Sequence, residues 1–542
     1  MNDNHTNYDI IIAGAGIAGN TLAKIFADNE LNVLIIEQGK HPRFALGEAM
    51  LPQSALWPFM IGEYYNIEEI KNLSHADCII DNVTPHCGIK HSFGFIYHED
   101  AAVPNRDKIH QLIPPSMPFY SESHLLREDV DQYLLNVALD AGVQYFEETK
   151  IDDIEIHEEF VRVKTNSGSF EGRYYIDSSG KNSLLAQKMG YRKTDPELST
   201  RSRSIFTHVE GLEPFDNLLN ESDHPGQNRK LHDGTLHHVF DGGWIWIIPF
   251  DNHERSESNL ASIGLTLDLD KFPIDENLTA EEEFYSIVNK FPGVIDHIKD
   301  IKNIRPWIRT GRLQYASNKS VGHRHMLTNN SFGFVDPLYS NGLVNTFETI
   351  FYTSRILLDA FEKNDFSMAR FEQLDKLHDK QLMDSDIMVS NAYRAMKGFK
   401  TWNAWTQLWL GQVLFHDLVL QRACFKYFET GDKSHFSNLH IEGRPGDNAP
   451  FVKDKMVLMS KVSEILIKFE NGEVSETEAS EFMLEALKEQ DWLPKHVYNW
   501  GDMSSRNVDF TNMALVGELI GWGMNAAPIP MRENLFDFKV PF

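Results

Sequence analysis

Cysteine is scarce in this chain. Cys78, Cys87 and Cys424 are the only three in 542 residues, and no two form a C-x-x-C pair. That excludes a disulfide framework and a cysteine-based zinc site, and it points to a reduced, cytoplasmic setting with no structural metal. Long apolar runs are missing as well: nothing approaches the roughly 18 residues that span a bilayer, and the residues after Met1 are polar. Neither a membrane segment nor a signal peptide is therefore expected. Basic residues are outnumbered, with 51 Lys and Arg against 79 Asp and Glu and a formal net charge of −28. Such a surface repels phosphate backbones and anionic lipid, which argues against nucleic-acid and membrane partners.

Aromatics, by contrast, are plentiful: 35 Phe, 17 Tyr and 10 Trp. They suit the enclosure of a flat apolar ligand, although large cores use the same residues. At this length the chain can form two to four domains.

Its beginning organises the rest. Tyr8-Asp9-Ile10-Ile11-Ile12-Ala13 reads as a buried parallel strand and runs into Gly14-Ala15-Gly16-Ile17-Ala18-Gly19, a G-x-G-x-x-G spacing. A helical stretch follows, then a second apolar strand from Asn32 ending in the acid Glu37. In such a βαβ unit Gly14 makes the turn, Gly16 admits a pyrophosphate and Gly19 lets helix and strand pack closely. The helix start then faces the phosphates, and Glu37 lies where a ribose hydroxyl would be held.

Farther along, Gln38 to Ala49 is a loop that puts Arg43 and Glu48 beside the expected cofactor, and Leu56 to Leu73 is helical. His86 to Tyr97 alternates like one strand with Phe93, Phe95 and Tyr97 on one side; Lys90, out of phase with them, reads as an exposed strand lysine. Arg127 stands at the start of a helix with acids in its first turn. Short strands then lead to Asp177-Ser178-Ser179-Gly180, a second phosphate-friendly turn. From about 195 to 270 the pattern is antiparallel sheet, with Asp241-Gly242-Gly243 as a three-residue hairpin turn and Trp244 and Trp246 projecting from one face. Asn330 to Gly342, including Asp336 and Tyr339, is a loop entering a helix whose first N–H groups suit a flavin edge or a small anion. Beyond Ile350 the pattern is nearly all helical, with Pro445 to Pro450 as its clearest linker.

Taken together these residues resemble FAD-binding proteins of the aromatic-hydroxylase fold. Gly243-Trp244-Ile245-Trp246-Ile247-Ile248-Pro249 is similar to the W-x-W-x-I-P signature of flavin-dependent halogenases, and His41-Pro42-Arg43-Phe44 with Gly47-Glu48 resembles their H-P-R-F and G-E-S loop. The resemblance covers roughly residues 8 to 410. It implies an α/β chain: a Rossmann-type FAD-binding domain (1–75, 105–195 and 300–350) interleaved with an antiparallel β-sheet substrate domain (76–104 and 196–299). A helical C-terminal domain (351–542) completes it.

The resemblance implies the chemistry too. Reduced FAD and dioxygen would oxidise chloride or bromide to hypohalous acid, which then halogenates an aromatic small molecule. Gly14, Gly16, Ala18, Gly19, Glu37, Arg43, Glu48, Arg127, Asp177, Asn330, Asp336 and Leu343 would hold FAD, and the N–H groups of Asn341 and Gly342 would hold the halide. Trp244 and Trp246 would wall off the flavin. Lys90 falls where the family places its essential lysine, on the substrate side with Phe93, Phe95 and Tyr339.

Two departures stand out. Asn329-Asn330-Ser331-Phe332 replaces the common Gly-Asp-Ala-Ala, which changes a flavin contact. Tyr339 stands where tryptophan-acting members have a glutamate, which points to a phenol or pyrrole. No second nucleotide fingerprint is evident, so a separate NAD(P)H-dependent flavin reductase is expected as partner. An aromatic hydroxylase, an isoprenoid-reducing flavoprotein and a catalytically silent flavin-binding protein remain as rivals.

Overall fold

A computed structural model describes residues 7–99, 106–114, 121–219, 229–439, 444–445 and 451–539. Strand β1 (Asn7–Ala13) pairs in parallel with β2 (Val33–Ile36) on one side and with the Gly168–Asp177 strand on the other. Gln144–Phe146 extends the sheet beyond β2, and His325–Leu327 extends it beyond Gly168–Asp177, both in parallel. A parallel sheet is covered on both faces, so its strands are apolar without alternation; Ile10, Ile11 and Ile12 are all fully buried. Helix α1 (Ile17–Asp28) starts directly at the glycine turn. Close packing there is obligatory, since a β-carbon on Gly19 would sit 2.0 Å from the Gly14 carbonyl oxygen.

The second sheet has nine strands. Its centre is four antiparallel neighbours, Ser202–Glu210, Leu260–Asp268, Gly243–Pro249 and Thr235–Phe240. The Asp241-Gly242 connection is a two-residue turn, since Phe240 pairs with Gly243, and Gly242 has φ +81°. The sequence reading made that turn one residue too long.

Four other expectations shift. His86 to Tyr97 is two strands, β3 (Gly88–Lys90) and β4 (Phe93–Tyr97). Only β4 enters the nine-stranded sheet, beside Thr235–Phe240 and β5 (Ile109–Ile113), whereas β3 forms its own two-stranded sheet with β6 (Glu122–His124). The chain breaks at His91-Ser92 because each half finds a different partner. The helix read from Leu56 is α2 (Pro52–Tyr65), followed by the short Glu68–Lys71 turn. Ile109–Ile113 and the strands Lys302–Asn303 and Ile308–Arg309, which the sequence put with the nucleotide domain, lie in the nine-stranded sheet. Asn507–Asp509, within the stretch expected to be helical, pairs with β5 at that sheet's edge. Of the linker at Pro445 to Pro450, residues 446–450 lie outside the described residues.

One face of this sheet packs against a separate apolar core formed with the Ala280–Val288 and Pro292–Ile298 helices. Phe93, Phe95, Tyr97, Trp244 and Trp246 project from the other face into the main core. Over that face lie Met368–Ala395, whose Tyr393 meets Trp244, and Phe399–Thr430, which buries Trp402, Trp405 and Trp409, while Asn341–Lys363 packs against α1 and α2.

Candidate active site

The glycine turn is built for a backbone-hugging ligand. Gly14 has φ +95°, and a β-carbon there would lie 2.6 Å from the Ser178 carbonyl oxygen. At Gly16 the nearest atom to an added β-carbon is Nη2 of Arg43, 3.8 Å away, so a cradle opens there. Around it stand Glu37, His41, Arg43 and Asp131. Glu37 accepts the N–H groups of Ala15 (2.9 Å) and Gly39 (2.7 Å), with Arg43 3.5 Å away. Both ring nitrogens of His41, Nε of Arg43 and Oγ of Ser178 are buried with no partner among the described residues. Buried polar atoms are normally hydrogen-bonded, so these orphans fit a polar ligand such as a dinucleotide. Burial, with Arg43 adding to it, lowers the His41 pKa and favours the neutral imidazole. His41 and Asp131 were not among the expected site residues, although His41 opens the H-P-R-F motif.

Arg127 caps this region. It pairs bidentately with Asp131 at 2.9 and 3.0 Å and donates to the Leu46 and Gly47 carbonyls. Half-buried Ala18 lies on the first turn of α1.

Two expected contacts are placed differently. Asp177 is fully buried, and its two oxygens take Ser179 N–H (3.0 Å), Ser179 Oγ (2.6 Å), Ser331 Oγ (3.3 Å) and Ser183 Oγ (2.7 Å). It ties the second turn to the Asn329–Phe332 helix and presents no free acid. Glu48 faces away from Arg43: it is buried against His208, Oε1 to Nε2 2.7 Å. Asn330 is exposed, accepting Tyr315 O–H on its backbone oxygen (2.6 Å).

The Asp336 loop links this region to the indoles. The Asp336 carboxylate accepts Ser202 Oγ–H and, at 3.2 Å, Tyr393 O–H, and that hydroxyl in turn accepts Trp244 Nε1–H at 3.2 Å. Burial pushes the Asp336 carboxyl up to about 6. Tyr339 and Ser340 have φ of +69° and +57°, turning the chain sharply into the helix at Asn341 and Gly342. Gly342 is exposed, and a β-carbon there would meet nothing within 4 Å. Leu343 is buried behind it. Tyr339 is buried and stacks on Trp409 at 4.7 Å, its hydroxyl accepting Trp405 Nε1–H at 2.8 Å.

Lys90 is 1% exposed, which rules out the exposed-strand reading. Its Nζ donates to the Met50 carbonyl (2.7 Å) and lies 3.6 Å from the centre of the Phe93 ring. Burial lowers the amine to about 7, against the opposing pull of Glu122, its cross-strand partner. A ring row runs from the lysine to the nucleotide side. Phe93 and Phe95 stack with His237, His237 pairs in register with Trp246, Trp246 contacts Phe206, and Phe206 stacks on Phe44 beside Arg43. The Trp246 ring lies over Gly264, where a β-carbon would come within 1.9 Å of it. Trp244 and Trp246 share a face, centroids 5.7 Å apart.

A small cavity lies beside this lysine, lined by Leu51, Phe93, Leu112, Trp409 and Asp417 among others. Of the three expected substrate residues, only Phe93 lines it; Phe95 and Tyr339 stand behind. A larger cavity of about 440 Å³ shares Leu51, Trp409 and Val413 with it and reaches Asn341.

The Tryptophan halogenase family matches residues 105–439. Among curated proteins the chain is 37% identical over 442 residues to the monodechloroaminopyrrolnitrin halogenase PrnC of Pseudomonas fluorescens, covering 81% of this chain and 77% of that one. It is 33% identical to the tetracycline 7-halogenase of Kitasatospora aureofaciens, covering 97% and 95%. Among solved structures, halogenase PltM in complex with phloroglucinol and FAD superposes with a TM-score of 0.86 at 31% identity, covering 92% of this chain and 99% of that one. A likeness this long takes in the glycine cradle, the tryptophan strand and the lysine strand alike. The chain belongs to the flavin-dependent halogenase family, oxidoreductases whose cofactor is FAD.

Proposed function

We propose that this enzyme halogenates an electron-rich aromatic small molecule, phenolic or pyrrole-type, with Lys90 directing the oxidised halogen. Bound reduced FAD supplies, with dioxygen, the oxidation of chloride or bromide to hypohalous acid. The observation that carries the reading is the placement of Lys90: a buried amine at the end of an aromatic row that starts beside the nucleotide cradle. An ammonium there can hold the hypohalous oxygen by hydrogen bonding, away from bulk water. Asn341 and Gly342 at the start of a long helix offer N–H groups for the halide. The indole pair keeps the substrate ring from the flavin.

The substrate class follows from Tyr339 and from the relatives. Tyr339 contributes no acid from its own position, and a ring already activated by its own hydroxyl or ring nitrogen suits the site. Phloroglucinol, bound to PltM, is such a phenol. A separate NAD(P)H-dependent flavin reductase is the proposed electron donor, because the sequence carries one dinucleotide fingerprint.

The test supplies the enzyme with a flavin reductase, NADH, FAD, oxygen and either halide, together with a panel of phenols and pyrroles, and reads the products by mass spectrometry. Halogen isotope patterns are expected with the wild type and their loss with Lys90→Ala, FAD binding being unchanged. Oxygenated products without halogen would refute the proposal.

A further inference from the structure

Lys90 does not stand alone. Glu122 is its directly opposed partner in the two-stranded β3–β6 sheet, so both side chains leave the same face with β-carbons about 5 Å apart. Glu122 is 5% exposed, and its carboxylate takes its own backbone N–H while the Lys90 amine is turned to the Met50 carbonyl. Behind Glu122, close enough to perturb it electrostatically, lies Asp417 of the Phe399–Thr430 helix, which lines the small cavity with Phe93. Its Oδ2 accepts Gln421 Nε2–H, and its Oδ1 is buried without a partner among the described residues.

The remaining ionisable neighbours are pinned neutral. His124 gives its Nδ1 proton to the Pro249 carbonyl at 2.8 Å and accepts Thr235 Oγ1–H at 2.9 Å, and His237 donates to the Gly94 carbonyl at 3.0 Å. Burial lowers both. Asp417 in the cavity wall, and Lys90 and Glu122 behind Phe93, are then the groups of this cluster free to move a proton.

We propose that Glu122 is the proton acceptor of the halogenation step, receiving the ring proton while the Lys90 ammonium across the strand pair protonates the departing hydroxide. The proposal rests on the reading of Lys90 given above. The O–X bond of hypohalous acid breaks and a C–X bond forms. Hydroxide takes a proton from Lys90 and leaves as water, and the aromatic C–H proton passes to the Glu122 carboxylate. Return of that proton from Glu122 to the Lys90 amine restores both groups, so the net change is hypohalous acid plus arene to haloarene plus water. Asp417 is a positioning residue: of the two neighbouring buried carboxyls it is raised well above its ordinary range without help from Lys90, so it holds its proton, and Glu122, drawn down by Lys90, is the one that ionises. Glu122 thereby fills the part of the acid absent at Tyr339, from a different strand.

The test uses Glu122→Gln and Glu122→Asp in the FAD-loaded enzyme, with bromide and phloroglucinol as probe and a 1,3-diketone trap run in parallel to count hypohalous acid. The expected result is a loss of aromatic product relative to trapped oxidant of about 100-fold in Glu122→Gln, partly recovered in Glu122→Asp. A second readout needs no turnover: in flavin-free protein, NMR of ¹³C-labelled lysine should show the Lys90 titration moving down by about one unit in Glu122→Gln, because the group that raises it is gone. A product-to-trap ratio within threefold of wild type, or an unmoved Lys90 titration, overturns the proposal. Lys90→Ala halogenating phloroglucinol as wild type does would overturn the lysine reading itself, a result distinct from either.

Discussion

Replacing Lys90 with methionine, nearly the same length and apolar, removes a buried amine whose pKa lies at about 7 against an ordinary 10.5. Between those values the unfolded chain binds a proton that the folded chain does not, so folding stability rises with pH through this window. From pH 7 to pH 9 the difference in bound protons integrates to about 1.7 units, or about 2 kcal/mol at 1.36 kcal/mol per unit. Wild type should therefore gain about 2 kcal/mol on Lys90→Met over that range. Glu122 adds to the difference with the same sign: its carboxyl, pushed up to about 8 by burial, is held down by Lys90 and rises further without it. Below pH 7 the folded chain buries the amine as an ammonium, which burdens the fold, and Lys90→Met should be the more stable protein. Urea denaturation of the flavin-free enzyme at pH 6, 7, 8 and 9 measures this through the unfolding midpoints. Two proteins whose midpoints run parallel across these pH values would refute the claim that the amine titrates there.

Gly264→Val places a β-carbon within 1.9 Å of the Trp246 ring and must push the indole aside; the expected cost is about 1–3 kcal/mol by urea denaturation, together with more hypohalous acid escaping to a trap. Gly19→Ala sets a methyl 2.0 Å from the Gly14 carbonyl oxygen and should weaken FAD binding by about tenfold or more, read by equilibrium dialysis. Tyr339→Phe strips the acceptor from the buried Trp405 Nε1–H and should cost about 1–3 kcal/mol of stability while leaving FAD affinity unchanged.

What the sequence made legible is what neighbouring residues decide. The β1–α1–β2 unit follows from an apolar run, a glycine spacing and a terminal acid within thirty or so positions, and the shared face of Trp244 and Trp246 follows from the two-residue period of a strand. The break between β3 and β4 had no such signal, because His91-Ser92 is not a turn sequence; the two halves part only because Glu122–His124 and Thr235–Phe240 lie in different sheets. Glu48 read as a cofactor contact beside Arg43, yet its partner His208 comes from a strand far along the chain. Asp177 sat at a phosphate-friendly turn, but three serines claim its oxygens first. Glu122 and Asp417 were invisible for the same reason: each is an unremarkable acid until tertiary packing sets Glu122 across from the amine and Asp417 near Glu122.

The lining beside Lys90 also answers a chemical problem that the reaction creates. Hypohalous acid oxidises thiols and thioethers readily, and a methionine or cysteine on its way would consume it. Among the described residues, the small cavity is lined by Leu51, Pro52, Phe93, Leu112, Ile113, Pro114, Leu410, Val413, Leu414, Val508 and Phe510, with Asp417 and the indole of Trp409, none of which carries sulfur. Cys87 lies near in sequence to Lys90, but it is buried, engaged by the Leu126 N–H, and pushed up to about 12, so it stays a thiol out of reach. The larger cavity is different: Met388, Met456 and Met459 line it. Those thioethers would consume an oxidant that reached them, and they give a substrate soft surface that adapts to its shape. Among the described residues, then, the small cavity beside Phe93 offers an oxidised halogen walls without a thioether, and the methionine-lined cavity suits the shape of an aromatic substrate.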